Sequence, residues 1–245
     1  MVIGAGFTGI EVATALPSRL QALAPRRPVR VVLIEADPAV GPALGASPRP
    51  VIEQALDELG VQVLTGRRLV RAGPAEVELS DGSVIGTRTA IWTAGLAANS
   101  LTARVNGTRD GLGRLVVDRF LRVPEAPSVF AAGDTAAVDD PAGHRVLQSC
   151  QHAIPLGKFA GHNAASDLLG HPLEPFDPGP YLTCVDLGHA GAVATAGWDR
   201  EVRLTGEAAK ALKKAICESY IYPPAHDADA LLAGAARRPH PAIFT

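Results

Sequence analysis

Residues 1–11 read Met-Val-Ile-Gly-Ala-Gly-Phe-Thr-Gly-Ile-Glu, which places Gly4, Gly6 and Gly9 directly behind a short apolar strand. No other stretch of the 245-residue chain restricts its fold so tightly. Gly4 permits a sharp strand-to-helix turn, Gly6 leaves room for a pyrophosphate to approach the backbone, and Gly9 lets the next helix pack closely on the sheet. The pattern predicts that helix from about Gly6 to Leu20, with Ile10, Ala13 and Leu16 on one face and its free N–H groups aimed at phosphate.

The run Val29–Ile34 is nearly continuous in apolar character, as a doubly covered parallel strand requires, and it ends in Glu35. A carboxylate at a strand tip can accept ribose hydroxyl hydrogens and repel a 2′-phosphate, which favours NAD over NADP. The competing reading is that the glycines merely turn the chain and Glu35 is a solvated loop acid. The alternation continues with a helix expected over 47–59, a strand over 61–64, an antiparallel excursion over 67–86 with a turn at Asp81-Gly82, and a strand over 89–93 stopping at Gly95. This is an α/β unit, βαβαβ with an antiparallel crossover. Only Met1, Val2 and Ile3 precede the first glycine, fewer than the about five to six residues of an ordinary strand, so an upstream segment is expected.

Composition narrows the function classes. The 23 basic and 25 acidic side chains leave a formal charge of −2, which argues against a basic nucleic-acid binder. Two Trp, three Tyr and six Phe are too few for base-stacking platforms. Cys150, Cys184 and Cys217 are too sparse for a disulfide scaffold or thiolate cage, and a reducing compartment is the simplest setting. His144, His162, His171, His189, His226 and His240 lack partners at ligand spacing, so no metal site is expected. No Gly-x-Ser-x-Gly elbow is present, and no run reaches the roughly 18–20 apolar residues of a membrane span.

The motifs Gly4 to Glu11, Val32-Leu-Ile-Glu35, Ile91-Trp-Thr-Ala-Gly95 and Val129-Phe-Ala-Ala-Gly-Asp134 together resemble the two-dinucleotide flavoprotein oxidoreductases. Ser149-Cys-Gln-His-Ala153, Leu156-Gly-Lys158 and Ala160 to Asn163 are similar to the type II NADH dehydrogenases, single-subunit NADH:quinone reductases. The resemblance covers residues 1 to about 222 and implies an NAD(H)-binding domain over 1–95, the C-terminal part of an FAD-binding domain over 96–170, a small α+β flavin-covering region over 171–222, and a flexible tail over 223–245. The family's N-terminal FAD half, with its own glycine triplet, has no counterpart between residues 10 and 245. A truncated chain, a misassigned start, a partner supplying that half and a product without FAD all satisfy that departure.

The resemblance implies roles residue by residue. Gly4, Gly6, Gly9, Glu35 and Gly95 would hold NADH, and Gly133 and Asp134 would hold FAD. Glu11 would lie near the nicotinamide and flavin, although an acid in a first helical turn also stabilises the helix. Asp134, at a strand-to-helix transition, could instead be an N-cap. Gln151 would border the quinone or satisfy helix-end backbone groups. His152 is expected to be a surface or helix-end histidine in preference to a proton relay, and Cys150 a buried structural thiol. NADH would pass a hydride to FAD and the flavin two electrons to a quinone. Rival readings are a ferredoxin-, rubredoxin- or disulfide-type reductase and a non-catalytic NAD-binding module.

Residues 154–170 read as a helix ending at Gly170, followed by Pro172, Pro175, Pro178 and Pro180 at a boundary. Strands are expected over 181–185 and 190–195, with Trp198 capping the second excursion, and a short helix near 227–236. Over 207–220 a helix carries Lys210, Lys213 and Lys214, three of the chain's four lysines, opposite Ala208, Leu212, Ala215, Ile216 and Tyr220. Such a helix can lie on anionic lipid or be an ordinary packed helix with a solvated face. The resemblance implies a cytoplasmic protein, peripheral on the inner face of the cell membrane, and is compatible with a homodimer.

Overall fold

A computed structural model of the chain describes residues 1–224 and 227–237. His226 and His240, noted above, lie outside them. The chain divides into two compact units, residues 1–95 with 181–217 and residues 96–180 with 218–245.

The first unit opens with β1 (Val2–Ile3), α1 (Phe7–Leu23), β2 (Val32–Ile34), α2 (Arg49–Glu58) and β3 (Gln62–Leu64). An antiparallel sheet of β4 (Leu69–Ala72), β5 (Glu76–Leu79) and β6 (Val84–Gly86) follows, and β7 (Ile91–Trp92) returns to the parallel sheet. That sheet runs β3-β2-β1-β7, so the order reverses beside β1, the place where open α/β sheets leave a crevice at their strand ends. Alternation sorts its side chains. Val2 and Leu33 join the core with Ile10, Ile52 and Leu56, whereas Ile3, Val32 and Ile34 pack against Val77 and Leu79 of the antiparallel excursion.

The second unit contains β8 (Leu115–Val116), β9 (Arg122–Val123), β10 (Ala126–Phe130), β11 (Ala136–Ala137) and α3 (Cys150–Leu169). β8 pairs parallel with β11 and β9 antiparallel with β10. Leu121, Val123, Leu156 and Phe159 are core residues, and the Phe159 and Phe176 rings meet edge to face at 5.5 Å. Helix α3 starts earlier than its expected onset at residue 154 because Pro155 lies inside the helix and not at its first position. It ends at Gly170, whose φ of 69° is the left-handed cap a glycine adopts without strain.

The chain then rejoins the first unit through β12 (Leu182–Asp186), β13 (Ala192–Ala196), β14 (Glu201–Thr205) and α4 (Gly206–Ala215), which continues as a π-helical turn over Ile216–Tyr220. The structure therefore draws its units differently from the four sequence segments. Val185, Leu187 and Val193 are buried in one cluster with Val2 and Ile10, which fixes residues 181–217 to the first unit. Strand β14 was not expected; its exposed and half-buried residues alternate along a sheet edge. Trp198 stacks on Tyr181 at 4.4 Å. Helix α5 (Ala228–Gly234) belongs to the second unit and is capped by the Asp227 carboxylate. Among the described residues no helix is long and apolar enough to cross a membrane.

Candidate functional site

The glycine turn lies at the reversal point of the parallel sheet. Gly4 has a φ of 101°, and a Cβ there would stand 2.8 Å from Ala94 Cα, so only glycine closes the turn against the end of β7. At Gly9 a Cβ would lie 1.7 Å from the Gly4 carbonyl oxygen, which is the close helix–turn contact expected of it. Gly6 differs: a Cβ there would meet nothing within 4 Å. The absent side chain leaves open space in front of the first turn of α1. Thr93, which the sequence did not single out, locks the turn by donating its hydroxyl to Ile3 O (2.8 Å) and Gly4 O (2.9 Å).

A cavity of 410 Å³ opens there, lined by Gly4, Gly6, Glu35, Arg67, Arg68, Gly95 and their neighbours. Five residues inferred from sequence thus contribute to one place, four as lining and Gly9 as packing beneath it. Glu35 is not a solvated loop acid. It is 7% exposed, and its two oxygens accept N–H bonds from Ala5 (2.6 Å) and Asp37 (2.9 Å). Each oxygen retains acceptor capacity. Arg67 and Arg68 were missed because a basic pair at a loop carries no motif. Arg67 lies 2.8 Å from Asp81, whose carboxyl is held below its ordinary value first by the Ser83 hydroxyl and amide and then by Arg67.

Glu11 lines a second cavity of the same unit, of 640 Å³, together with Asp186, His189, Lys210, Lys213 and Cys217. Its Oε1 accepts the Asp186 N–H at 3.0 Å and the Lys213 ammonium at 2.7 Å. Burial works to lower the Lys213 pKa, but Glu11 outweighs it by charge and hydrogen bond, and the net shift is upward. Lys210 is likewise bound to Asp186 (2.6 Å) and Gly188 O (2.9 Å). Lys210 and Lys213 of α4 are therefore engaged within the unit and not held free on a solvated face. Burial pushes the Cys184 thiol up to about 11, with Lys213 opposing and Glu11, Cys217 and Asp186 adding to the rise.

In the second unit Gly133 and Asp134 form a single 3₁₀ turn that leads into β11, not into a long helix. The N-cap alternative for Asp134 fails, because Ala132 occupies that position and Ser149 precedes α3. The Asp134 carboxylate is exposed and makes no hydrogen bond or ion pair among the described residues, so it is free to accept from a hydroxyl. Gly133 has a φ of 66° and brings bare backbone to the surface of the turn. These features fit the end of a flavin site. Gln151 donates its amide to Pro180 O at 2.9 Å, which leaves its Oε1 as an acceptor.

Two neighbouring expectations are corrected. Cys150 is exposed, because it is the first residue of α3 and faces outward. His152 is only 1% exposed, with Nδ1 2.9 Å from Ser149 Oγ, because the same helix start turns it inward.

A family model described as pyridine nucleotide-disulphide oxidoreductase matches residues 1–157. The chain is 46% identical to an NADH dehydrogenase-like protein of Mycobacterium tuberculosis across 98% of its own length and 61% of that protein's. It is 30% identical to a type II NADH:quinone oxidoreductase of the same organism, covering 80% of this chain and 45% of that one. Among solved structures it resembles a FAD-dependent pyridine nucleotide-disulphide oxidoreductase from Desulfovibrio vulgaris, with a TM-score of 0.62, 22% identity and coverage of 80% of this chain and 48% of that one. That likeness bears out the α/β fold, with its Rossmann-like parallel sheet and antiparallel parts. The chain spans 61% of the length of its 46% identical relative.

Proposed function

We propose that this chain, which belongs to the pyridine nucleotide-disulphide oxidoreductase family, binds NADH at the glycine turn of its first unit and serves an FAD-dependent oxidoreductase. The family match and the NADH dehydrogenase-like relatives support NAD(H) and FAD as its cofactor pair. One observation carries the reading: the space before Gly6, at the reversal point of the sheet, is what a pyrophosphate needs and what any side chain would fill.

The free N–H groups of the first turn of α1 receive the phosphates. Glu35 accepts ribose hydroxyl hydrogens with the acceptor capacity its backbone partners leave. Gly95 keeps the end of β7 bare beside the cavity. In the second unit Gly133 permits close backbone approach to FAD, and Asp134 accepts a hydroxyl hydrogen. Gln151 donates its second Nε2–H to a quinone carbonyl, and its Oε1 accepts from the hydroxyl of the reduced product, while Glu11 stays paired with Lys213. When bound, NADH supplies a hydride and FAD relays two electrons. The name of the 30% identical relative supports a quinone as their destination.

A ferredoxin, rubredoxin or disulfide is the rival acceptor. For the disulfide, the three cysteines are free and the Cys184 thiol is raised, which counts against thiol exchange by this part of the chain. The purified chain with added FAD should take up flavin absorbance, bind NADH in a titration, and lose NADH affinity in Glu35→Ala. An acceptor screen then separates quinone from ferredoxin, rubredoxin and disulfide substrates. NADH binding without flavin uptake would reduce the chain to a nucleotide-binding module, and absence of NADH binding would end the reading.

A further inference from the structure

We propose that Arg200 is the cation of an oxyanion subsite beside the start of α1, and that the group it takes is a phosphate of the dinucleotide held at the glycine turn. The subsite stands on Arg200 itself; the dinucleotide as its occupant rests on the nucleotide reading given above.

Arg200 is only 7% exposed. Its guanidinium lies over two rings of the same unit, 5.0 Å from the Tyr181 centroid and 5.6 Å from that of Phe7, and its Nη1 donates to the Tyr181 hydroxyl at 2.8 Å. Among the described residues no carboxylate pairs with it: Asp199 is exposed, and Glu201 is bound to Arg203 at 2.8 Å. Tyr181 does not supply the missing anion, because burial raises its phenol above the ordinary 10.0 against the pull of Arg200 and keeps it neutral. Arg200 Nε and Nη2 have no acceptor among the described residues. No sealed side-chain nitrogen there goes without a partner, so both open onto a crevice. Ring faces offset part of the cost of burying a cation and leave the rest to an anion.

Two costs meet at this residue. Its φ of 56° is a left-handed conformation that glycine adopts freely and arginine does not. A methionine would fill the same space against the rings without burying a charge. A clamp of the β13–β14 turn onto α1 needs neither, whereas a cation kept for a ligand's oxygens accounts for the charge.

The neighbours of Arg200 name the ligand. Phe7 directly follows Gly6 and opens α1, which has no side-chain cap and no acid in its first turn. The Arg200 stem also passes Gly45, with Cδ 3.7 Å from where a Cβ would stand, in the loop whose Pro42 lines the dinucleotide cavity. A full positive charge thus joins the free N–H groups of α1 beside the phosphate space. Nε and Nη2 form one edge of the guanidinium, the fork that binds two oxygens of one phosphate.

The full chain, Arg200→Met and Arg200→Lys are titrated calorimetrically with NADH, ADP-ribose, adenosine and inorganic pyrophosphate. Arg200→Met should weaken NADH and ADP-ribose about tenfold and leave adenosine, which carries no phosphate, within about twofold, and Arg200→Lys should recover most of the loss. NADH should displace pyrophosphate from the unsubstituted chain. Undiminished NADH and ADP-ribose affinity in Arg200→Met, an equal loss for adenosine, or pyrophosphate that binds equally well beside saturating NADH would overturn the proposal and leave the nucleotide site standing. Failure of NADH, ADP-ribose and adenosine to bind the unsubstituted chain would end the nucleotide reading and this occupant with it. If Arg200→Met does not fold, Trp92→Phe leaves Trp198, stacked on Tyr181 at 4.4 Å, as the one tryptophan. ADP-ribose should then change its emission and adenosine should not, and equal responses would overturn the proposal.

Discussion

Lys213 Nζ lies 2.7 Å from Glu11 Oε1, tying α4 to the early turns of α1 across almost the whole length of the chain. The same ammonium donates to Cys184 O at 3.1 Å, and the same carboxylate oxygen accepts the Asp186 N–H. The pair is partly covered, with side-chain exposures of 20% and 30%, so its worth falls between that of a surface ion pair and a buried one. A double-mutant cycle of Glu11→Gln and Lys213→Met should return a coupling of about 1–2 kcal/mol in urea unfolding. A coupling indistinguishable from zero would mean that the apolar contacts of Val185 and Leu187 hold residues 181–217 without it.

Alkaline pH should weaken the first unit in two stages. The Cys184 thiol is raised by burial from its ordinary value of 9.0 to about 11, so the folded chain holds a proton that the unfolded chain releases. That stabilisation is complete below pH 9 and is lost as pH rises through about 11. Lys213, also raised, contributes stability that is complete below its ordinary value of 10.5 and is lost above it. Unfolding free energies measured across the alkaline range should fall less steeply in Cys184→Ala. An equal slope would assign the loss elsewhere.

Thiol labelling at neutral pH should give two fast sites and one slow one. Cys150 and Cys217 are exposed, whereas the Cys184 thiol is partly covered and donates weakly to Ala209 O at 3.5 Å. The thiolate is the reactive form, so the raised Cys184 thiol should react at least about tenfold more slowly than the other two. Peptide mapping after timed alkylation distinguishes them, and three equal rates would contradict the burial of Cys184.

The part of this fold legible in the sequence is the part held by local sterics. Gly4, Gly6 and Gly9 fall within one strand-turn-helix, and the excursion ending at Gly86 declares itself through the alternation of Val77 and Leu79 and the Asp81-Gly82 turn. What escaped depends on contacts remote in sequence. Strand alternation marks Val185, Leu187 and Val193 as half-buried but does not say against what, and only the folded chain seats them beside Val2 and Ile10. The burial of Glu35 escaped for the same reason, since a strand-tip acid gives no sign that the Ala5 amide will claim it. Cys150 and His152 were exchanged in character because the helix was expected from residue 154, whereas it begins at Cys150 and takes in both.

The glycines of the turn should separate by mutation. Gly9→Ala forces a Cβ to 1.7 Å from Gly4 O, a backbone clash with no flexible side chain to give way, and should cost about 3 kcal/mol or more. Gly6→Ala meets no atom, and its φ of −76° suits alanine, so stability should change by less than about 0.5 kcal/mol. Its methyl group nevertheless enters the space assigned to the pyrophosphate, and NADH affinity should fall about tenfold. Thermal unfolding and NADH titration of the two variants should therefore show opposite patterns, and a Gly6→Ala chain with unaltered NADH affinity would remove the pyrophosphate from this turn.

Asn163 belongs to the stretch whose resemblance pointed to a function, yet its surroundings are structural. It is fully buried, and its Nδ2 donates to Phe120 O (2.9 Å) and Glu174 O (2.8 Å) while its Oδ1 accepts the Glu174 N–H (2.9 Å). One side chain thus satisfies three backbone groups from two loops against α3, and removing it takes the partner from all three. Asn163→Ala should destabilise the chain by about 2–4 kcal/mol. Asn163→Asp keeps the acceptor but loses both donors and buries a charge against carbonyl oxygens, so it should be at least as damaging. NADH affinity should stay unchanged in both under conditions where the chain remains folded, because the nucleotide cavity is built from the first unit. A selective loss of NADH binding at full stability would instead make Asn163 a functional residue.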